Sequence, residues 1–299
     1  MITPKYLVKG DKIAIIAPAR CITFDEVHPS IRVFQKWGLE VVLGTNIFGK
    51  YNQFSGKDEP RKADLQQMLD DDSIRAIICA RGGYGTVRII DQIDFTRFCR
   101  NPKWIIGYSD ITVLHSHIQR HFAIETLHAT MPVNITSDTM VNDSLETLKN
   151  ALFGKNVSYR LPKNPLSRTG EAEGILTGGN LSILYSLIGS ASEIDTDGKI
   201  LFLEDVDEYL YHIDRMMIAL KRAGKLDKIK GIVVGGMDRM NDNTNPFGKT
   251  ANEIIADVTS EFNYPVCFDF PAGHGEANLA LILGRKVNFS VNQEVSLIF

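Results

Sequence analysis

The strongest constraint on how this chain folds is a series of short apolar segments that do not alternate with polar residues. Ile13–Ala17, Val41–Gly44, Ile74–Ala80 and Trp104–Gly107 recur through the first half of the 299 residues. In Ala76-Ile77-Ile78-Cys79-Ala80 no side chain suits water, so both faces need cover, as in a parallel sheet with helices on each side. Between these segments the period is helical. Pro60–Asp71 opens with a proline suited to a first turn and then sets Leu65, Met68 and Leu69 on one face. After Ser109, the residues Ile111, Leu114 and Ile118 fall at i, i+3 and i+7. This alternation predicts an α/β fold with a doubly wound, mainly parallel sheet.

The pattern changes after Leu152. Gly154–Gly174 carries Pro162, Pro165, three glycines and the bases Lys155, Arg160, Lys163 and Arg168, without a sustained period. It reads as a linker. Beyond it the sequence predicts helices near Asn180–Gly189, Glu208–Arg222 and Ala251–Glu261, with strands at Lys199–Leu203 and Gly231–Gly235. Val266–Phe270, Leu281–Leu283, Val287–Phe289 and Val295–Phe299 are strands with little room for helices between them. The expected organisation is an N-terminal α/β domain over 1–153, a linker over 154–174 and a smaller β-rich domain over 175–299.

Charge and cysteine usage narrow the function classes. Thirty-three basic residues against 36 acidic ones leave a net charge of −3, which gives no footprint for nucleic acid or an acidic membrane. Cys21, Cys79, Cys99 and Cys267 form no C-x-x-C or framework spacing, so free thiols in a reducing, cytoplasmic setting are expected. The N-terminus lacks the apolar core of a signal peptide. The run Ile13–Ala17 stops at Pro18, far short of the roughly 20 residues that span a bilayer.

Four segments could carry chemistry. Ala80-Arg81-Gly82-Gly83-Tyr84-Gly85 follows a buried strand, and its glycines can turn sharply and offer N–H groups to an anion. It could equally be a plain strand-to-helix turn. Neither G-x-G-x-x-G nor G-x-x-x-x-G-K-[ST] occurs, which argues against nicotinamide and P-loop chemistry. Gly107-Tyr108-Ser109-Asp110-Ile111 sets a serine between strand and helix, where a nucleophile elbow presents its hydroxyl. The same position is a common helix cap. Glu204 ends Ile200-Leu201-Phe202-Leu203-Glu204, at the strand end where α/β proteins place site residues, although Glu204 and Asp205 could instead be first-turn acids of the next helix. His274, between Gly273 and Gly275, has the side chain suited to a general base near neutrality, or is an idle loop residue. His115, His117 and His121 lack an H-E-x-x-H pattern and read as solvent-facing helix residues, with no metal expected.

Together these residues stand in the order Ser…Glu…His, and the chain resembles the LD-carboxypeptidases, serine peptidases that use such a triad. The resemblance rests on Gly10–Pro18, Arg81-Gly82-Gly83-Tyr84-Gly85, Gly107–Thr112, Leu203-Glu204-Asp205, Tyr211–Met216 and Gly273-His274-Gly275. Residues 277–284 depart from it, because family members often carry a proline near Leu281–Ile282. The resemblance implies Ser109 as nucleophile, His274 as general base and acid, and Glu204 as the carboxylate orienting the ring. It also implies the Gly83 and Asp110 N–H groups as oxyanion donors, with Arg81, Gly82 and Tyr84 near the substrate. Arg81 or the basic linker residues would hold a terminal carboxylate. The implied fold is a Rossmann-like N-terminal domain and a smaller β-rich C-terminal domain, with the site in the cleft between them. The implied substrate is a murein tetrapeptide that loses its terminal D-Ala, with no cofactor and a homodimeric assembly. The alternatives are the microcin-immunity branch of the same family, which cleaves a peptidyl-nucleotide, and a non-catalytic small-molecule binder.

Overall fold

The computed structural model describes residues 1–299. The first half winds as its apolar pattern predicts. Strand β1 (Lys12–Ile16) leads through helix α1 (Phe24–Lys36) to β2 (Glu40–Leu43), and helix α2 (Asp58–Asp70) leads to β3 (Ile74–Cys79). Helix α3 (Thr96–Arg100), β4 (Trp104–Gly107), α4 (Thr112–Phe122), β5 (Thr126–His128) and α5 (Asp143–Leu152) follow. These strands run parallel in the order β5-β4-β3-β1-β2. Ile13–Ile16 and Ala76–Cys79 are completely buried, as two-sided cover requires. Thr23 and Glu26 form a reciprocal capping box that fixes where α1 starts.

The second half forms another sheet. After β6 (Ser158–Pro162) come β7 (Gly170–Asn180), α6 (Leu181–Ser186), β8 (Ile200–Val206), α7 (Leu210–Arg222), β9 (Gly231–Asp238) and α8 (Ala251–Val258). The chain ends with β10 (Val266–Cys267), β11 (Leu281–Leu283), β12 (Lys286–Val291) and β13 (Glu294–Ile298). The seven-stranded order is β10-β9-β8-β7-β12-β13-β6, parallel from β10 to β7 and antiparallel beyond.

Two details differ from the sequence reading. Residues 154–174 are not a free linker, because they contain β6 and the start of β7, and β6 pairs antiparallel with β13 at the sheet edge. An edge strand needs only one inward face, so its polar, proline-ended sequence escapes a search for apolar runs. Strand β11 joins the other sheet, where it pairs antiparallel with β5 and caps that edge. One continuous apolar core therefore runs between the sheets, from Ile13, Ile78 and Ile106 to Phe202, Val287 and Leu297.

The halves are also stitched by polar contacts around α4. Thr112 Oγ1 accepts from the Asn180 N–H at 3.0 Å, and Ser116 Oγ donates to the Ser192 carbonyl at 2.6 Å. The carboxyl ends of β4 and β8 consequently face one cleft, with Ser109 on one side and Asp205 on the other.

Candidate active site

Ser109 sits on the turn between β4 and α4 with φ of +63°, a left-handed conformation that few side chains adopt. Gly107, at φ +153°, lets the strand end there with Ile111 packed against its α-carbon. Ser109 is itself the first residue of the helical turn Ser109–Ile111, one past its cap residue Tyr108, so the cap alternative does not account for its hydroxyl. It lines a cleft of about 520 Å³ shared with Arg20, Arg81, Asp205, Arg239 and His274. Gly82 lies close behind: a methyl group there would stand 2.8 Å from Ser109 Cβ and 2.9 Å from Oγ.

Glu204 is not a first-turn acid. It lies within β8, fully buried, and α7 begins only at Leu210. Its Oε2 is 2.7 Å from Nδ1 of His274, seventy residues further along the chain. The ring thus carries its proton on Nδ1 and donates it to the carboxylate, which leaves Nε2 with a lone pair. Tyr108 packs edge-on against the imidazole with centroids 4.8 Å apart. Burial alone pulls the His274 pKa down. The hydrogen bond and charge of Glu204, with Asp205 and Asp238, outweigh it, and the net shift is upward from 6.5. No hydrogen bond joins Ser109 Oγ to the ring; in ligand-free enzymes such contacts often tighten only around substrate.

Asp205 was visible in the sequence only as a neighbour of Glu204. It lies in the cleft wall, buried, accepting from Asn180 Nδ2 at 2.9 Å, the Ser182 N–H at 2.8 Å and the Val206 N–H at 2.9 Å. Burial and then the adjacent Glu204 charge push its carboxyl up to about 7.

Of the expected substrate contacts, Arg81 and Gly82 line the cleft, as does Gly83, expected as an oxyanion donor. Tyr84 does not: its ring is 44% exposed and packs beside Phe54. The backbone turn at Gly83, φ +107°, precedes this departure. None of the basic residues of 154–174 lines the cleft. Arg160 pairs with Glu294 on the surface, and Arg168 donates to the carbonyls of Tyr264 and Thr259. The cleft instead carries Arg20 and Arg239, neither with an ion-pair partner. Both sit just past strand ends, the position rule that singled out Glu204.

Of the α4 histidines, His121 is exposed as expected, whereas His115 and His117 turn inward, contrary to the solvent-facing expectation. His115 is fully buried with Nε2 2.8 Å from the Gly107 carbonyl, and burial pushes it down to about 4. His117 and His121 bond Ser192 Oγ and the Ala191 carbonyl. Residues 191–192 come from the second half of the chain, a contact that helical spacing alone does not reveal.

The cleft between the two sheets thus gathers a serine at positive φ and a histidine backed by a buried glutamate. Residues 13–129 match the LD-carboxypeptidase N-terminal domain and residues 173–289 the LD-carboxypeptidase C-terminal domain. The chain belongs to the LD-carboxypeptidase family. It is 34% identical to the probable murein peptide carboxypeptidase of Bacillus subtilis, over 99% of this chain and 93% of that protein. It is 27% identical to the murein tetrapeptide carboxypeptidase of Pseudomonas aeruginosa, over 94% of each. The crystal structure of muramoyltetrapeptide carboxypeptidase from Oxalobacter formigenes superposes with a TM-score of 0.88 at 26% identity, covering 96% of this chain and 98% of that one. A microcin self immunity protein bound to aspartyl sulfamoyl adenosine shares the fold, with a TM-score of 0.87 at 21% identity, over 100% of this chain and 99% of that one.

Proposed function

We propose that this protein is a serine-type LD-carboxypeptidase that releases the terminal D-Ala of murein tetrapeptides. The observation that carries this reading is the hydroxyl of Ser109, at positive φ, in the same cleft as a His274 ring held by buried Glu204. The relatives named for murein peptides supply the substrate class.

In the first step His274 Nε2 takes the Ser109 proton while Oγ forms a bond to the carbonyl carbon of the L-diamino acid. The Gly83 and Asp110 N–H groups meet the developing oxyanion, each worth about 3 kcal/mol if correctly placed. The imidazolium formed is stabilised by the Glu204 carboxylate. Collapse breaks the C–N bond as Nε2 returns its proton to the leaving D-Ala nitrogen. Water then attacks the acyl-enzyme, its proton passing to Nε2 and on to Ser109 as the acid departs. Arg20, Arg81 and Arg239 supply cations for the substrate's carboxylates.

The first half would carry the nucleophile and the second half Glu204 and His274, in a cytoplasmic homodimer. Incubation with tetrapeptides ending in L-Lys-D-Ala or diaminopimelate-D-Ala, with D-Ala followed by mass spectrometry, tests the reading. Release of D-Ala is expected. No D-Ala from either peptide, with cleavage of a peptidyl-adenylate, would move the protein to the microcin-immunity reaction.

A further inference from the structure

The Arg81–Gly85 loop carries one proposed oxyanion donor but has little stiffness of its own. Gly83 and Gly85 have φ of +107° and +140°, and glycine is the residue least restrained in that region. Two buried side chains outside the cleft hold the loop in place. Asp110 follows Ser109 directly, yet its carboxylate is fully buried and bonds behind the turn. Oδ2 accepts from the Thr86 N–H at 2.8 Å and from Thr86 Oγ1 at 2.6 Å. Thr86, also fully buried, is the first residue after the loop. From the other side the buried Arg61 guanidinium donates to the carbonyls of Pro18 and Gly85, the latter at 2.9 Å, and pairs with Asp58. Arg61 thus ties the loop to the segment bearing Arg20, whose side chain lies across Gly83.

We infer that Asp110 and Thr86 are positioning residues for the oxyanion site: their buried hydrogen bonds set where the Gly83 N–H stands relative to Ser109 Oγ. The inference rests on the reading of Ser109 as nucleophile. Asp110 would then act twice, offering its own N–H from the nucleophile turn and fixing the opposite donor through its side chain. A donor contributes only when it lies within about 2.7–3.1 Å of the oxyanion position, so a shift of a few tenths of an ångström here reduces rate and leaves ground-state binding alone.

The test compares Thr86→Val, which loses the hydroxyl but keeps the N–H, with Thr86→Ser, which keeps both. Four quantities are read: kcat and KM for D-Ala release, affinity for a peptidyl boronic acid that forms a tetrahedral adduct on serine, and affinity for the product tripeptide. Thr86→Val is expected to lose about ten- to a hundredfold in kcat, part of the loss seen on removing a whole oxyanion donor. Boronate affinity should fall by the same factor, KM and tripeptide affinity should hold, and Thr86→Ser should recover the rate. Wild-type kcat in Thr86→Val overturns the inference, as does equal loss in both variants together with tripeptide affinity. Should Thr86→Val fail to fold, Asp110→Asn, which keeps one acceptor, is held to the same criteria. Full activity in Ser109→Ala would sink the nucleophile itself; an inactive Ser109→Ala beside a fully active Thr86→Val would sink only the positioning role.

Discussion

Replacing Glu204 by glutamine tests the His274 pair at nearly constant volume. The carboxylate is fully buried, and Oε2 lies 2.7 Å from Nδ1, so little solvent screens it from the imidazolium that forms during catalysis. Unit charges about 4 Å apart at an effective dielectric near 20 attract by about 4 kcal/mol, which corresponds to roughly a thousandfold in rate. Glutamine can also donate its amide N–H to Nδ1, placing the ring proton on Nε2 and removing the lone pair that must accept the serine proton. The expected loss in kcat/KM for D-Ala release is therefore about a thousandfold or more, with the fold retained by circular dichroism. The pH profile gives a second readout. Because His274 must be neutral to act as base, wild-type kcat/KM should rise with pH through an apparent value above 6.5. Without the Glu204 charge burial dominates, so the residual activity of Glu204→Gln should begin at lower pH. A Glu204→Gln enzyme within threefold of wild type, with an unchanged pH profile, would refute this reasoning.

Other perturbations follow from the same geometry. Gly82→Ala places a methyl 2.9 Å from Ser109 Oγ; kcat should fall at least tenfold, a loss of about 1.4 kcal/mol in the barrier, while thermal melting changes little. The raised carboxyl of Asp205 contributes stability that is full below its ordinary value of 3.8 and lost as pH rises through about 7. Melting temperatures of wild type and Asp205→Asn compared from acid to mildly alkaline pH should therefore show the wild-type advantage shrinking as pH rises. His115→Leu removes the ring donor to the Gly107 carbonyl, which keeps the Ala129 N–H at 3.3 Å, and should cost about 0.5–1.5 kcal/mol in denaturant unfolding. Because each α4 histidine commits one ring nitrogen to a protein oxygen and the three do not converge on a common point, chelator should leave D-Ala release unchanged.

The buried parallel strands were readable because two-sided cover leaves no room for polar residues, and β1, β3 and β4 announce this residue by residue. Thr126-Leu127-His128 did not, since a strand of three residues with a threonine and a histidine resembles a loop. The placement of β11 in the other sheet depends on how the chain crosses over after His274, and its apolar sequence carries no trace of its partner. Taken locally, Ser109 reads better as a helix cap and Glu204 as a first-turn acid than as site residues. What separates the readings is three-dimensional: the place of Ser109 one residue past the cap, the complete burial of Glu204, and the closing of 70 residues between Glu204 and His274. Arg20 and Arg239 escaped because a single arginine after a strand carries no pattern, and only the facing cleft gives it a role.

Ser109 as the covalent nucleophile is the central claim, and intact-protein mass spectrometry during turnover tests it most directly. With a tetrapeptide analogue whose acyl-enzyme hydrolyses slowly, the protein should gain the mass of the tripeptidyl group, mapped by digestion to the segment containing Ser109. Ser109→Ala should show neither the adduct nor D-Ala release. A Ser109→Ala protein that releases D-Ala at the wild-type rate, or an adduct mapped to another residue, would contradict the account.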